Sequence, residues 1–131
     1  MTEQRITQVT ADNLDQIQEQ AVQRSAAAKD AAAGVRDIRA TGRSDKGVVT
    51  VVVDGSALVV DMQFNTGAAS SPSTLGPAVK QAHDRAVAEW NRQVKAVAAD
   101  TLVAEPDIAQ MMSAAADRDL PSHIARDDEE A

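Results

Sequence analysis

Two valine-rich runs on either side of Asp54-Gly55 constrain the fold of this chain more than any other segment. The runs cover residues 47–53 and 57–64, and both are rich in the β-branched residues that are typical of β-strands. Asp-Gly is a strong hairpin signal, because glycine tolerates the positive φ that a two-residue primed turn requires. We therefore predict an antiparallel hairpin with a two-residue loop. A preceding strand at about residues 37–43 would complete a three-stranded antiparallel meander.

The two faces of this predicted hairpin differ in polarity. One face is apolar throughout and carries Val49, Val51, Val53, Leu58, Val60, Met62 and Phe64. The opposite face mixes apolar and polar side chains: Val48, Thr50, Val52, Ala57, Val59, Asp61 and Gln63. A solvated face would not normally collect three valines. We therefore expect either a helix of this chain or another subunit to cover it.

A long helix is predicted before the sheet, at about residues 11–35. Its apolar and small residues recur in steps of three and four, as in a coiled-coil seam: Leu14, Ile17, Ala21, Ser25, Ala28, Ala32 and Val35. A helix of about 24 residues would be about 36 Å long, which is more than a small sheet can cover. The small side chains of the seam suit the close approach of a partner helix.

A second long helix is predicted after the sheet, with Pro77 near its first turn. Its apolar stripe consists of Val79, Ala82, Ala86, Trp90, Val94, Val97 and Thr101. We expect Trp90 to lie in the core or in a dimer interface rather than to serve as a stacking platform. Pro106 ends this helix, a short helix follows at 106–116, and 117–131 reads as an acidic disordered tail. Residues 1–10 are expected to be a flexible N-terminus.

The charge of the chain is unevenly distributed. The formal net charge is −7, of which residues 1–104 carry −1 and residues 105–131 carry −6. Most basic side chains fall in two clusters, at residues 24–46 and 80–95. Two interpretations remain open. The clusters are either ordinary solvated helix faces of mixed charge, or positive patches, doubled by dimerisation, that contact the phosphates of a duplex.

Signals for catalysis are missing from the sequence. It has no cysteine, no glycine-rich phosphate loop, no HExxH motif and no EF-hand loop. His83 and Asp84 are adjacent, and neighbouring residues of a helix do not face each other. We therefore expect no enzyme, no metal site, no cofactor and no small-molecule substrate. The polar N-terminus and the short apolar runs predict neither a secretory signal nor a membrane partner.

The strand-forming segments and the helices that flank them resemble the YbaB/EbfC family of small bacterial nucleoid-associated proteins. Residues 38–44, 47–55 and 58–62 carry the resemblance, which continues into the alanine-rich helix at 75–98. It implies an α+β subunit of order α-β-β-β-α over residues 11–105. It also implies a homodimer that binds double-stranded DNA and is located in the cytoplasm, on the nucleoid. One departure is Ser56-Ala57, where a further glycine is common after the turn.

Under this resemblance, DNA backbone contacts of low sequence specificity are expected from eight basic side chains. They are Arg24, Lys29, Arg36, Arg39, Arg43, Arg85, Arg92 and Lys95. The candidate dimer interface comprises Leu14, Ile17, Ala21, Ala28, Val48, Val52, Val59 and Trp90. An alternative is a protein-interaction module of the same fold, for example an accessory factor associated with type VII secretion, with little or no DNA binding. The acidic tail could compete with phosphate for the basic patches.

Overall fold

A computed structural model of the protein describes residues 11–65 and 72–120. In chain order its elements are helix α1 (Ala11–Arg36), strands β1 (Ala40–Arg43), β2 (Val49–Val53) and β3 (Val59–Phe64), then helices α2 (Pro72–Thr101) and α3 (Pro106–Arg118). A single 3-10 turn, Asp45–Gly47, links β1 to β2. The three strands form one antiparallel sheet in the order β1-β2-β3. The predicted α+β meander between two long helices is confirmed.

Helix α2 covers the side of the sheet that carries the buried valines of β2. Val49, Val51 and Val53 have no exposed surface. The predicted stripe of α2 supplies the opposing layer, in which Ala82 and Ala86 are fully buried and Trp90 is 4 % exposed. Small residues at this contact bring the helix backbone close to β1. The apolar periods of β2 and α2 therefore predicted the centre of the core. The apolar residues of the second hairpin strand, which share the same predicted face, are instead exposed: Leu58, Val60, Met62 and Phe64.

The close contact between β1 and α2 requires a glycine in the strand. A Cβ atom on Gly42 would lie 2.2 Å from both the carbonyl oxygen of Ala82 and the amide nitrogen of Ala86. Both are backbone atoms of a helix, and they cannot move away by a change of rotamer as a side-chain atom can. Gly42 is therefore a packing requirement of the fold.

The hairpin loop is longer than predicted. The amide of Asp54 donates to the carbonyl of Leu58 at 2.9 Å, and the amide of Ala57 donates to the carbonyl of Asp54 at 2.9 Å. The Asp54 carboxylate also accepts from the amides of Ser56 and Leu58. These bonds stabilise a loop of three residues, so the prediction of a two-residue loop was wrong.

The reason for Gly55 is also different from the predicted one. The positive φ of the loop falls on Ala57 (62°), at the Ser56-Ala57 departure from the expected glycine. Gly55 is instead required by space, because its Cβ would lie 2.0 Å from the carbonyl oxygen of Val35 at the end of α1. Its own carbonyl accepts a 2.8 Å hydrogen bond from Nε1 of Trp90. The hairpin tip is thus held between α1 and α2.

The longer loop changes which residues share a face of the sheet. Val49 pairs with Phe64 and Val51 with Met62, as expected, but a bulge then places Val53 opposite Val59. Val59 therefore lies on the α2 side of the sheet. Val48 has helical backbone angles and packs with Ala57 against the core.

The prediction of three valines on the opposite face was therefore wrong. Of the three, only Val52 remains on the face turned away from α2. By strand pairing, that face also carries Thr41, Arg43, Thr50, Asp61 and Gln63. Its half-exposed or exposed polar side chains need no helix to cover them.

Helix α1 packs on α2 with its C-terminal half only. Ala31 is buried against Ala98 and Leu102. Most of the predicted seam lies one residue away from this contact and faces outward, and its larger members Leu14 and Ile17 are 46 % and 53 % exposed. The seam therefore has an unpartnered N-terminal part, whereas its last member, Val35, packs against the core.

The remaining helix boundaries differ slightly from the predictions. Helix α2 begins at Pro72, so Pro77 lies in its second turn rather than near its first turn. There a proline cannot donate the backbone hydrogen bond that a helix normally makes. Helix α3 extends to Arg118 and Leu120 packs against the core, so the prediction of a disordered tail was wrong for residues 117–120. The predicted flexible N-terminus at 1–10 and the rest of the tail, 121–131, lie outside the described residues.

Candidate nucleic-acid interface

The eight candidate DNA-binding side chains all lie on the surface, but the structure divides them into two groups. Four form ion pairs with carboxylates of this chain: Arg24, Arg85, Arg92 and Lys95. The other four form none with the described residues: Lys29, Arg36, Arg39 and Arg43. A carboxylate partner occupies donors of the cation and offsets its charge, which weakens the attraction of that cation for a phosphate. The second group is therefore better prepared to bind an anion.

Arg85 is part of a network that joins α2 to the connection between β1 and β2. Its guanidinium contacts Oδ1 of Asp45 at 3.0 Å and donates to the carbonyl of Arg43 at 2.8 Å. The side chain of Gln81 donates to Oδ2 of Asp45 and accepts from the Asp45 amide. The hydrogen bond from Gln81, followed by the charge and hydrogen bond of Arg85, holds the pKa of Asp45 below its usual value. Arg85 thus positions the connection.

The other two cations of α2 are also engaged. Arg92 donates to Oε2 of Glu89, one turn earlier on the same helix, at 2.7 and 2.9 Å. Lys95 Nζ lies 2.8 Å from Oδ1 of Asp117 on α3. Hydrogen bonds from Arg92 and Lys95, respectively, are the main reason why the pKa values of Glu89 and Asp117 are lowered. A phosphate would have to compete with both carboxylates.

Arg24 on α1 is paired with the segment that follows α2. Its Nε atom lies 3.3 Å from Oε2 of Glu105, whose side chain is mostly shielded from solvent. Glu105 immediately precedes the first residue of α3. Of the candidate cations on α1, Arg24 is the one that contacts a carboxylate.

The four cations without an ion pair follow the chain from the end of α1 into β1. Lys29 and Arg36 are separated by seven residues and so lie on a similar face of α1. Arg39 donates to the carbonyl of Ile38 at 2.7 Å, next to the C-terminus of that helix. Arg43 pairs with Thr50 on the sheet face turned away from α2. We call these four residues, Lys29, Arg36, Arg39 and Arg43, the α1–β1 cation cluster.

A cleft adjoins part of the α1–β1 cation cluster. It has a volume of about 520 Å³ and lies between the end of α1, the hairpin tip and α3. Arg36 and Arg39 line it together with Asp54, Ser56 and Met112. Two guanidinium groups thus border one concave surface, next to a single carboxylate.

The adjacent His83 and Asp84 do not form a catalytic pair in this geometry. Nδ1 of His83 lies 4.0 Å from Oδ1 of Asp84, which is beyond hydrogen-bond distance, and His83 is partly exposed. Within residues 11–65 and 72–120, no three metal-ligating side chains come together. In the same part of the chain, no helix is long and apolar enough to cross a membrane.

Sequence reasoning missed most of the ion pairing. The Glu89–Arg92 pair was recognisable from its three-residue spacing on a helix. The partners of Arg85 and Lys95 are 40 and 22 positions away in the sequence, and only the packing of α2 on its neighbours brings them together. No sequence pattern in this chain identifies those contacts.

One helix, three antiparallel strands and a second long helix define a small α+β protein. Three surface arginines, Arg36, Arg39 and Arg43, form no ion pair within the described residues. Residues 10–105 match the model of the YbaB/EbfC DNA-binding family. This match covers most of the chain, which belongs to that family. Helix α3 lies outside the matched region. Among curated proteins, no match to the chain is found.

Proposed function

We propose that this protein binds double-stranded DNA as a homodimer, with low sequence specificity, and acts on the nucleoid in the cytoplasm. The proposal rests on family membership together with the α1–β1 cation cluster. Basic side chains attract the phosphates of a duplex and release condensed counterions when they bind. In a dimer the four cations of the cluster would be present twice. This arrangement supports affinity for the DNA backbone.

Low specificity follows from the side chains that this surface offers. Arginine can read guanine in the major groove, but base readout also depends on an element that is shaped to enter the groove. The cluster instead lies along the end of a helix, a connection and a strand. The chain has one Trp, one Phe and no Tyr, and the Trp is buried, so stacking on bases contributes little. Backbone contacts are therefore the proposed mode of binding.

A salt series with unrelated duplexes tests this function. We expect binding at about 50 mM salt, with a logarithmic slope steeper than about −3, because each phosphate contact contributes about −0.9. Affinity should differ by less than about tenfold between duplex sequences of equal length. Fluorescence anisotropy with two labelled duplexes measures both quantities. Absence of binding to either duplex at low salt would refute the proposal.

The proposed homodimer is supported by two apolar surfaces that the subunit leaves uncovered. One is the seam of α1 with Leu14, Ile17, Ala21 and Ala28. The other is strand β3, an edge strand whose exposed apolar residues include Val59, Met62 and Phe64. An edge strand of this kind can pair with another chain. Val52 lies on the adjacent open face, whereas Val48 and Trp90 pack into the core and offer little area to a partner.

Substitution of an apolar residue on β3 by a charged one tests the dimer. We expect Phe64→Glu to weaken self-association at least about tenfold, because burial of an unpaired carboxylate is unfavourable. Sedimentation velocity over a concentration series measures this change. Val103→Glu is the control, since Val103 is 77 % exposed in the turn between α2 and α3. Equal self-association of wild type, Phe64→Glu and Ile17→Glu would exclude both surfaces.

A second candidate function is a protein-interaction module of the same fold. One observation favours it: an apolar cleft of about 520 Å³ between α1 and α3, lined by Ala28, Ala32, Leu102, Ile108, Met111 and Met112. Met111 is mostly exposed there, and methionine adapts to varied partners. The salt series separates the two candidates, because a protein-binding module need not bind duplexes at any salt concentration.

A further inference from the structure

Helix α3 is an addition to the family domain, and it is attached to the rest of the subunit by both packing and charge. It follows the matched region, which ends at residue 105. Ala116 is buried in the main core, and Met112 packs against that core as well. Acidic side chains stand at both ends of the helix, at Glu105 and Asp117. The carboxylates of this segment thus lie next to the preceding part of the chain, which carries most of the basic residues.

Each of these two carboxylates holds a cation of the candidate DNA-binding set. Glu105 contacts Arg24 of α1 at 3.3 Å, and Asp117 contacts Lys95 of α2 at 2.8 Å. Asp117 also accepts a 3.1 Å hydrogen bond from Nδ2 of Asn91, which is one of the few buried polar residues of the chain. The segment is therefore tied to α1 at its start and to α2 at its end.

The position of Asp117 is not explained by the stability of α3 itself. Asp117 lies in the last turn of α3, where the helix dipole disfavours a negative charge. The contacts that favour it there are those with Lys95 and Asn91 on α2. Its role is therefore tertiary: it pairs with a lysine that is 44 % exposed even when the contact is formed.

We propose that the segment 105–118 competes with DNA for two cations of this chain. Glu105 binds Arg24, and Asp117 binds Lys95. This inference rests on the proposed DNA-binding function. Carboxylate and phosphate oxygens compete for the same cationic donors. The cation of each pair is exposed, and ion pairs at the surface are weak, so DNA at sufficient concentration displaces the carboxylates. The segment therefore lowers affinity without abolishing binding, and its detachment would add two cations per subunit.

Neutral isosteres of the two acids test this competition. Asp117→Asn keeps an acceptor for Asn91 and removes the charge, and Glu105→Gln does the same for Arg24. For each single variant we expect duplex affinity to rise about two- to fivefold at low salt, with a larger rise for the double variant. The gain should shrink as salt is added. Circular dichroism confirms that each variant is folded.

Asp119→Asn is the matched control, because it removes one negative charge two residues beyond Asp117 and has no ion pair within the described residues. Its affinity should stay close to that of wild type. An equal rise for Asp119→Asn and Asp117→Asn would overturn the inference, since net charge alone would then explain the gain. Unchanged affinity in Asp117→Asn and Glu105→Gln would also overturn it. Lys95→Ala in the Asp117→Asn background should cancel the gain.

Retention on a heparin column separates this inference from the proposed function. Heparin is a polyanion that the released cations can bind whether or not DNA is the natural partner. Later elution of Asp117→Asn than of Asp119→Asn, without duplex binding by any variant, would support the competition and refute the DNA-binding function. Duplex binding by wild type, with identical elution and affinity of both variants, would leave the function intact and refute the competition.

Discussion

Replacement of Gly42 by alanine is expected to destabilise the subunit by about 3 kcal/mol, at the upper end of the usual cost of overpacking. The new Cβ would lie 2.2 Å from two backbone atoms of α2, so strand and helix must move apart. That movement would loosen the contact of Ala82 and Ala86 with the sheet. For a domain of this size, the melting temperature should fall by more than about 10 °C. Differential scanning calorimetry at fixed protein concentration measures the change.

Gly34→Ala is the comparison for this substitution. Its Cβ would lie 2.8 Å from Cγ1 of Val97, a side-chain atom that can shift. Alanine is also favoured over glycine within a helix by about 1 kcal/mol, which offsets part of the clash. We expect a loss below about 1 kcal/mol. Equal losses for Gly34→Ala and Gly42→Ala would contradict the special role of the β1–α2 contact.

The second large effect is expected at the α1–β1 cation cluster. The double variant Arg36→Gln/Arg43→Gln should lower duplex affinity about a hundredfold or more at about 100 mM salt. It removes four cations from a dimer, and the salt slope should become shallower by about 3 to 4. Neither arginine forms an ion pair with the described residues, so the fold should persist. A salt series on wild type and variant, with equal melting curves, measures the effect.

Arg85→Gln/Arg92→Gln is the control with the same change in charge. Both arginines already contact carboxylates, Asp45 and Glu89, so their removal also frees two acids. We expect less than about a tenfold loss of affinity and a nearly unchanged slope. Because Arg85 also positions the β1–β2 connection, circular dichroism must show that this variant is folded. A larger loss than in the first double variant would place the binding surface on α2 instead.

Part of the fold was predictable because its signals are local. The alternation of Val49, Val51 and Val53 and the helical spacing of Ala82, Ala86 and Trp90 depend only on the geometry of strands and helices. The structure confirms both. The loop at Asp54 was predicted less well, because its geometry depends on the Asp54 side chain and on the space left for Gly55 beside α1. Those are contacts between distant parts of the chain.

The candidate site was likewise predictable only in part, because some of its properties are local and others depend on contacts between distant residues. The sequence by itself determined which side chains could attract phosphate, since charge and clustering are read directly from residue types. It also determined that most of the net negative charge lies near the C-terminus. Only the tertiary structure decided which cations are available, because ion pairs such as Lys95–Asp117 and Arg85–Asp45 arise when helices and strands distant in the sequence are packed together. Charge is a property of the residue, whereas pairing depends on distances that folding alone sets.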